Sequence, residues 1–274
     1  MTVSSVCRKV GISRQNYYAR RKERQRHGVD EGLVVELVRE ERRLQPRLGT
    51  RKLHHLFKGR LEEAGVKLGR DRMFEVLRDR EMLVEPRIAE YPTTTSSYHC
   101  LPVFKNLIQD RELKGPNEVW VGDITYLRTE EGFMYLSLLT DKMSRKIVGY
   151  HCGDTLEVVG CVMALEMALG EMPKGAKPIH HSDRGSQYCS HEYVNRLVDG
   201  GLSISMTEKD HCAENALAER MNGIVKGEYG LGRKFKTKAS GRLAADQAVQ
   251  LYNNRRPHSS IGYRFPAEVH SLAE

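Results

Sequence analysis

Three acidic side chains have the type and placement for metal-dependent chemistry. Asp123 lies in the strand-like run Trp120-Val-Gly-Asp-Ile-Thr-Tyr126. Asp183 ends the apolar run Pro178-Ile-His-His-Ser-Asp183 and precedes Arg-Gly-Ser, which places it at a strand tip facing a cleft. Glu219 lies in Glu214-Asn-Ala-Leu-Ala-Glu219, where the small Ala216 and Ala218 let a helix approach a sheet closely. Hard divalent cations take oxygen ligands, and few carboxylates suffice for magnesium when substrate phosphates complete its shell. Two such ions about 3.5–4 Å apart activate an attacking oxygen and stabilise a leaving one. The spacing from Asp183 to Glu219 is weak evidence by itself in a chain with 36 acidic residues. The bland alternative is a solvated strand tip and a salt bridge on a helix surface.

Other side chains cluster around these positions. Arg184 and Gln187 flank Asp183 and are candidates for phosphate or base contact. One of His180 and His181 is expected to pack inside. Arg255, Arg256 and His258 follow the last long helical pattern; they either contact DNA or lock the C-terminal loop onto the core. Trp120, the single tryptophan, reads as an anchor beside the first strand. The cysteines, Cys7, Cys100, Cys152, Cys161, Cys189 and Cys212, are scattered without a C-x-x-C pair, so neither a disulfide framework nor a zinc knuckle is indicated.

The elements that must position the carboxylates follow from periodicity. Val119–Leu127, Phe133–Thr140 and Lys146–His151 read as three strands joined by short turns, an antiparallel meander. A helix from Thr155 to Gly170, a strand Pro178–Asp183, a helix His191–Val198, a strand Leu202–Met206 and helices Ala213–Tyr229 and Ala239–Tyr252 complete the order. The pattern predicts an α/β ribonuclease H-like core, a mixed five-stranded sheet with flanking helices, over residues 117–274.

Ahead of it the chain is all-α. Residues 1–28 read as two short helices around Gly11, with Ser13 as a cap, in a helix-turn-helix-like pattern that includes Arg14. Residues 29–84 carry three helical patterns, on Leu33/Val34/Leu37/Val38, Leu53/Leu56/Phe57 and Met73/Val76/Leu77. The second opens with Arg51 and Lys52 and the third with Arg70 and Arg72, where side chains and orphan N–H groups can meet phosphates; the alternative is ordinary solvated charge. Residues 85–116, with Pro86, Pro92, the run Thr93–Ser97 and Pro102, read as a linker.

Charge divides the chain at the same place. The net charge is +8, but residues 1–116 hold 25 basic and 16 acidic side chains while residues 117–274 hold 19 and 20. A basic module that finds a polyanion is thus joined to a near-neutral one. No apolar run approaches the roughly 20 residues of a membrane span, and the N-terminus has no signal-like segment, so a cytoplasmic protein is expected.

The motifs Trp120–Tyr126, Ser144-Arg-Lys-Ile-Val-Gly149, His181-Ser-Asp-Arg-Gly-Ser-Gln-Tyr188, Glu214-Asn-Ala-x-Ala-Glu219 and Tyr252-Asn-Asn-Arg-Arg-Pro-His258 together resemble the insertion-sequence-three family of bacterial transposases. The likeness is to the catalytic subunit from its second reading frame, which is similar to the retroviral integrase core. The resemblance implies magnesium, with manganese as a substitute, held as two ions on Asp123, Asp183 and Glu219 when DNA is bound. It implies a DNA-contacting lysine two helical turns after the glutamate, an offset that Lys226 matches. It further implies terminal inverted repeats and target DNA as substrates, a circular intermediate, a helix-turn-helix partner from an upstream frame, a homo-oligomer at synapsis and a nucleoid-associated bacterial location. Glu214 stands where many members have Asp, and Lys209-Asp-His-Cys replaces a Gly-Asn pair; these mark a subgroup. Two rival readings are a ribonuclease H-fold nuclease or resolvase without strand transfer, and a non-catalytic DNA-binding regulator.

Overall fold

The computed structural model describes residues 3–4, 7, 11–85, 101–208 and 215–272. The expected first helix, through Val6 and Val10, and the Pro/Thr/Ser run at 86–97 lie largely outside them. Contacts divide the chain into two units, one ending at Glu85 and a second that takes in Gln45–Arg47 and the residues from 86 onward.

In the first unit, helix α1 (Arg14–Leu44) is followed by α2 (Thr50–Glu63) and α3 (Arg70–Asp79). Ser13 caps α1 as its sequence suggests, its Oγ accepting from the Asn16 amide at 3.1 Å. The break expected near residue 28 is absent: α1 runs through it for 31 residues. A single Gly28 costs a helix only about 1 kcal/mol against Ala, and the flanking Arg, Glu and Leu are good helix formers. Val34, Val38, Leu53, Phe57, Met73 and Leu77 form the shared core of the three helices.

The second unit is built on a mixed sheet. Strands β1 (Val119–Thr129), β2 (Gly132–Asp141) and β3 (Ile147–Gly153) make the antiparallel meander, and helix α4 (Val158–Glu171) leads to β4 (Ile179–Ser182). After the short α5 (Ser186–Cys189) and α6 (His191–Asp199) comes β5 (Ser203–Met206), then α7 (Ala216–Glu228), β6 (Lys234–Phe235), α8 (Lys238–Arg255) and α9 (Pro266–Ser271). The sheet order is β3-β2-β1-β4-β5, with β4 parallel to both β1 and β5. This is the ribonuclease H-like arrangement predicted above. The two-residue β6, which pairs with the far end of β1, is a sixth strand too short for alternation to reveal.

Alternation along β1 sorts its side chains between two layers. Trp120 faces α4 and α6 in a core with Leu165, Tyr193 and Leu197. Val119 and Val121 face the other way, toward Ala218 of α7, and Leu127 packs with Met221, Val225, Val249 and Tyr252 of α7 and α8. Residues 101–116, expected as linker, lie on this second unit. Ile108 is buried with Val119 and Ala218, Leu101 and Phe104 pack against the Trp120 layer, and the Leu107 amide donates to Ser205 Oγ at 2.8 Å. Leu101, Phe104 and Ile108 fall at i, i+3 and i+7, a helical spacing, yet the segment is irregular chain, so periodicity misleads here.

The C-terminal helix is tied in by a buried polar ring. Asp141, fully buried at the end of β2, accepts from the Asn117 amide at 2.7 Å and from Ser144 Oγ at 2.8 Å. Ser144 Oγ lies 3.0 Å from His270 Nδ1, His270 Nε2 lies 3.3 Å from Asn117 Nδ2, and Trp120 Nε1 donates to Asn117 Oδ1 at 3.1 Å. One proton arrangement satisfies every contact: the serine proton goes to Asp141, His270 donates from Nδ1, and Asn117 donates to Nε2. His270→Ala is expected to cost about 1–3 kcal/mol by opening this ring, a fall of roughly 2–10 °C in Tm readable by thermal melting. An unchanged Tm would show that the ring contributes nothing.

Among the described residues no helix is long and apolar enough to cross a membrane. Cys7, Cys152, Cys161 and Cys189 are free and buried, while Cys100 and Cys212 lie outside the described residues.

Candidate active site

Register brings the two aspartates together. β1 and β4 pair in parallel with Val121 opposite His181, so two residues further along each strand Asp123 comes level with Asp183. A step of two keeps a side chain on the same sheet face, so both carboxylates project toward the α7 layer. Asp123 lies inside β1 because that strand continues past the end of β4, whereas Asp183 lies just beyond Ser182. Gly122 allows this crossing: a Cβ there would stand 3.0 Å from His180 Nε2 and 3.2 Å from Leu139 Cδ2.

Helix α7 supplies the third carboxylate. Glu219 sits in its first turn, exposed, with its amide bonded to the Asn215 carbonyl at 3.2 Å. Asn222, one turn on, donates from Nδ2 to Asp123 Oδ2 at 2.8 Å, and Asn215 donates from Nδ2 to the Gly122 carbonyl at 3.3 Å. The Ile124 amide donates to Asp123 Oδ1 at 2.8 Å, and the Gly185 amide to Asp183 Oδ1 at 3.0 Å.

The electrostatics record the convergence. Burial first, and then the negative charge of Asp183, push the Asp123 carboxyl up to about 7; Glu219 adds to the rise, while the Ile124 and Asn222 donors oppose it. Lys226, two turns beyond Glu219, lays its Nζ 4.0 Å from the centre of the Tyr126 ring. Burial and then Arg128 lower its pKa, while Asp123 raises it. Among the described residues no three His, Cys, Asp or Glu side chains converge at metal-ligating distance. Asp183 and Glu219 each lie close enough to Asp123 for their charge to bear on it. The three form an all-oxygen donor set, the kind that suits a hard cation.

The histidines serve packing. His180 faces the opposite layer, 3.0 Å from the Tyr193 hydroxyl, and burial first, then His181, push its imidazole down to about 3. His181 Nδ1 lies 2.8 Å from Ser205 Oγ. Arg184 donates to the Thr207 carbonyl at 2.7 Å and Gln187 to the Leu156 carbonyl at 2.8 Å, so both brace the loop that carries Asp183. A cavity of about 420 Å³ beside that loop is lined by Leu156, Val159, Ser186 and Gln187 among others.

Arg255 and Arg256 part company. Arg255 is exposed, but Arg256 is buried, bonded twice to Glu228 at 2.8 and 2.9 Å. Of the two readings given above, Arg256 follows the lock and not the DNA contact, since freeing its guanidinium would strand a charge. In the first unit Arg14, Arg51, Arg70 and Arg72 are exposed and Lys52 is half-buried. Arg70 pairs with Asp71, and Arg72 with Glu31 and Glu75. Such exposed pairs contribute little to stability.

The residues that sequence reasoning passed over are Asn215 and Asn222. Asn215 stands in the quoted motif and Asn222 three residues beyond its end, and the offsets from Asn215 to Glu219 to Asn222 put all three on one helix face.

The family described as "Integrase core domain" matches residues 114–212, and a second family of that description matches residues 200–266. The chain is 35% identical over 268 residues to the "Insertion element IS600 uncharacterized 31 kDa protein" of Shigella sonnei, covering 96% of each chain. It is 37% identical over 172 residues to the "Transposase InsF for insertion sequence IS3A" of Escherichia coli (strain K12), covering 62% of this chain and 60% of the relative. Among solved structures, the HTLV-2 integrase catalytic core in complex with magnesium overlays with a TM-score of 0.47 at 18% identity, covering 58% of this chain and 99% of that one.

Proposed function

The chain belongs to the insertion-sequence-three family of transposases, and on that premise we propose that it binds the terminal inverted repeats of an insertion sequence and cleaves and transfers DNA strands at Asp123, Asp183 and Glu219. What supports the assignment is the register of β1 against β4, which brings Asp123 level with Asp183, together with the charge of Glu219 that adds to the rise in the Asp123 pKa. Magnesium or manganese, two ions with DNA present, would be held by these three carboxylates and would supply charge neutralisation and an activated attacking oxygen.

The chain's own part is placement. The Asp123 and Asp183 carboxylates mark where the scissile phosphate sits. Lys226, on the same face of α7 as Glu219, offers a cation to the DNA backbone. Water opens the phosphodiester at the element's end, and the freed 3′-hydroxyl then attacks a second phosphodiester in line, with no covalent protein–DNA bond. The basic residues of the first unit hold the repeats, and synapsis of two ends calls for more than one copy. The upstream-frame partner belongs to the same proposal.

A joining assay with pre-cleaved ends and magnesium tests the reading. Joined product is expected; cleavage without joining would favour the nuclease reading. Binding should also weaken steeply with salt, because phosphate contacts release counterions. Replacing Arg51 and Lys52 by Ala is expected to flatten the log–log salt slope by about 1 per side chain. A salt response identical to that of the unaltered protein would remove these two residues from the interface.

A further inference from the structure

We propose that Asn222 is a positioning residue that holds the Asp123 carboxylate in the orientation its cation requires, while Asn215 fixes the helix that carries it. The inference rests on the metal-dependent reading above and goes beyond it to residues which that reading does not use.

Asn215, at the N-cap of α7, and Asn222 within it grip two consecutive residues of β1. Asn215 holds the Gly122 carbonyl and Asn222 holds Asp123 Oδ2. They bracket Glu219 on the same helix face, at offsets of four and three residues. The spacing between Glu219 and Asp123 is thus set by side-chain bonds at two successive points and not by apolar packing alone.

Stability does not account for these residues. Asn215 is 3% and Asn222 8% exposed, and the Oδ1 of each has no hydrogen-bond partner among the described residues. A buried polar group without a partner is costly to keep. The neighbours of Asn222 on α7, Met221, Ile224 and Val225, are core residues, where an apolar side chain would pack without that cost. The amide does what an apolar group cannot, because it donates to one chosen oxygen of Asp123. It also does what Lys or Arg cannot, because it donates without charge and leaves the full negative charge of the carboxylate for a cation. Groups that orient metal ligands in this way typically cost 10–100-fold in affinity when removed.

The test is Mn²⁺ binding to the full-length protein without DNA, followed by the electron paramagnetic resonance signal of the free ion, with Tm measured in parallel. Asn222→Leu, close in shape but without the donor, is expected to weaken Mn²⁺ binding 10–100-fold while the protein still melts as a folded chain. Asn222→Gln, which keeps the amide, is expected to recover part of the affinity. Should Asn222→Leu fold poorly, Asn222→Ala carries the same expectation. Asp123→Asn separates the two levels of the argument. Loss of Mn²⁺ binding in Asp123→Asn with wild-type affinity in Asn222→Leu or Asn222→Ala would overturn the positioning role alone. Wild-type affinity in Asp123→Asn would overturn the metal site, and the positioning role with it.

Discussion

Asp123→Asn is expected to abolish strand joining and, in the same protein without metal, to raise its stability. Loss of a group that touches the reacting centre costs at least about 10³-fold in rate, and Asp183→Asn and Glu219→Gln should do the same in the joining assay. If all three left joining intact, the catalytic assignment would be wrong. The stability gain follows from charge. An aspartate in the unfolded chain titrates near 3.8, but burial, then Asp183, push Asp123 up to about 7 in the folded protein. The folded state therefore binds the proton more tightly. Its stability falls as pH rises from about 4 through about 7, and above that window the ionised carboxylate costs about 2–4 kcal/mol. Asparagine keeps the shape and removes the charge. At pH 8 the variant should melt roughly 4–15 °C higher than the unaltered protein, with the gap closing toward pH 4. Equal melting temperatures at pH 8 would mean that no such strain is stored at the site.

Gly149→Ala is expected to have the largest effect on folding. Gly149 lies in β3 beneath α4, and a Cβ there would stand 2.1 Å from the Ala164 carbonyl oxygen and 3.0 Å from Ala168 Cβ. The first is backbone and cannot rotate away, so the helix must lift from the sheet. Overpacking of a core typically costs 1–3 kcal/mol, and a contact this short belongs at or beyond the top of that range. Lifting α4 would also open the layer around Leu165 and Trp120. The denaturant midpoint should fall sharply, or the folded second unit should be lost. Gly170→Ala is the control: it lies in the same helix with nothing within 4 Å of an added Cβ and should be neutral or slightly stabilising. Equal midpoints for Gly149→Ala and the unaltered protein would refute the close approach.

The elements that carry the carboxylates were legible in sequence, a strand for Asp123, a strand end for Asp183 and a helix with small residues for Glu219, while the role given to them rested on the family resemblance. The sheet was legible because its strands alternate or run apolar between Gly and Asp turns. Other features were not legible in this way. β6 has two residues, and Leu101, Phe104 and Ile108 have helical spacing yet pack as irregular chain. Asn222 gave no signal through type, since an asparagine in a helix more often faces solvent; only its offset from Glu219 places it. Arg256 illustrates the limit of reading charge: a basic residue beside other basic residues suggests a polyanion, yet its partner is Glu228, 28 positions earlier. The division drawn between residues 28 and 29 shows the converse, since α1 runs through it unbroken.

The polar ring around Asp141 imposes an order in time. The first unit is complete once Glu85 has been made, but the ring at the base of β1 cannot close until His270 has been synthesised. At about 5–20 residues per second, the intervening chain takes roughly ten to forty seconds to emerge. During that interval a nascent chain would carry the finished helices of the first unit and an unfinished sheet, so the two units would be completed in succession and not together.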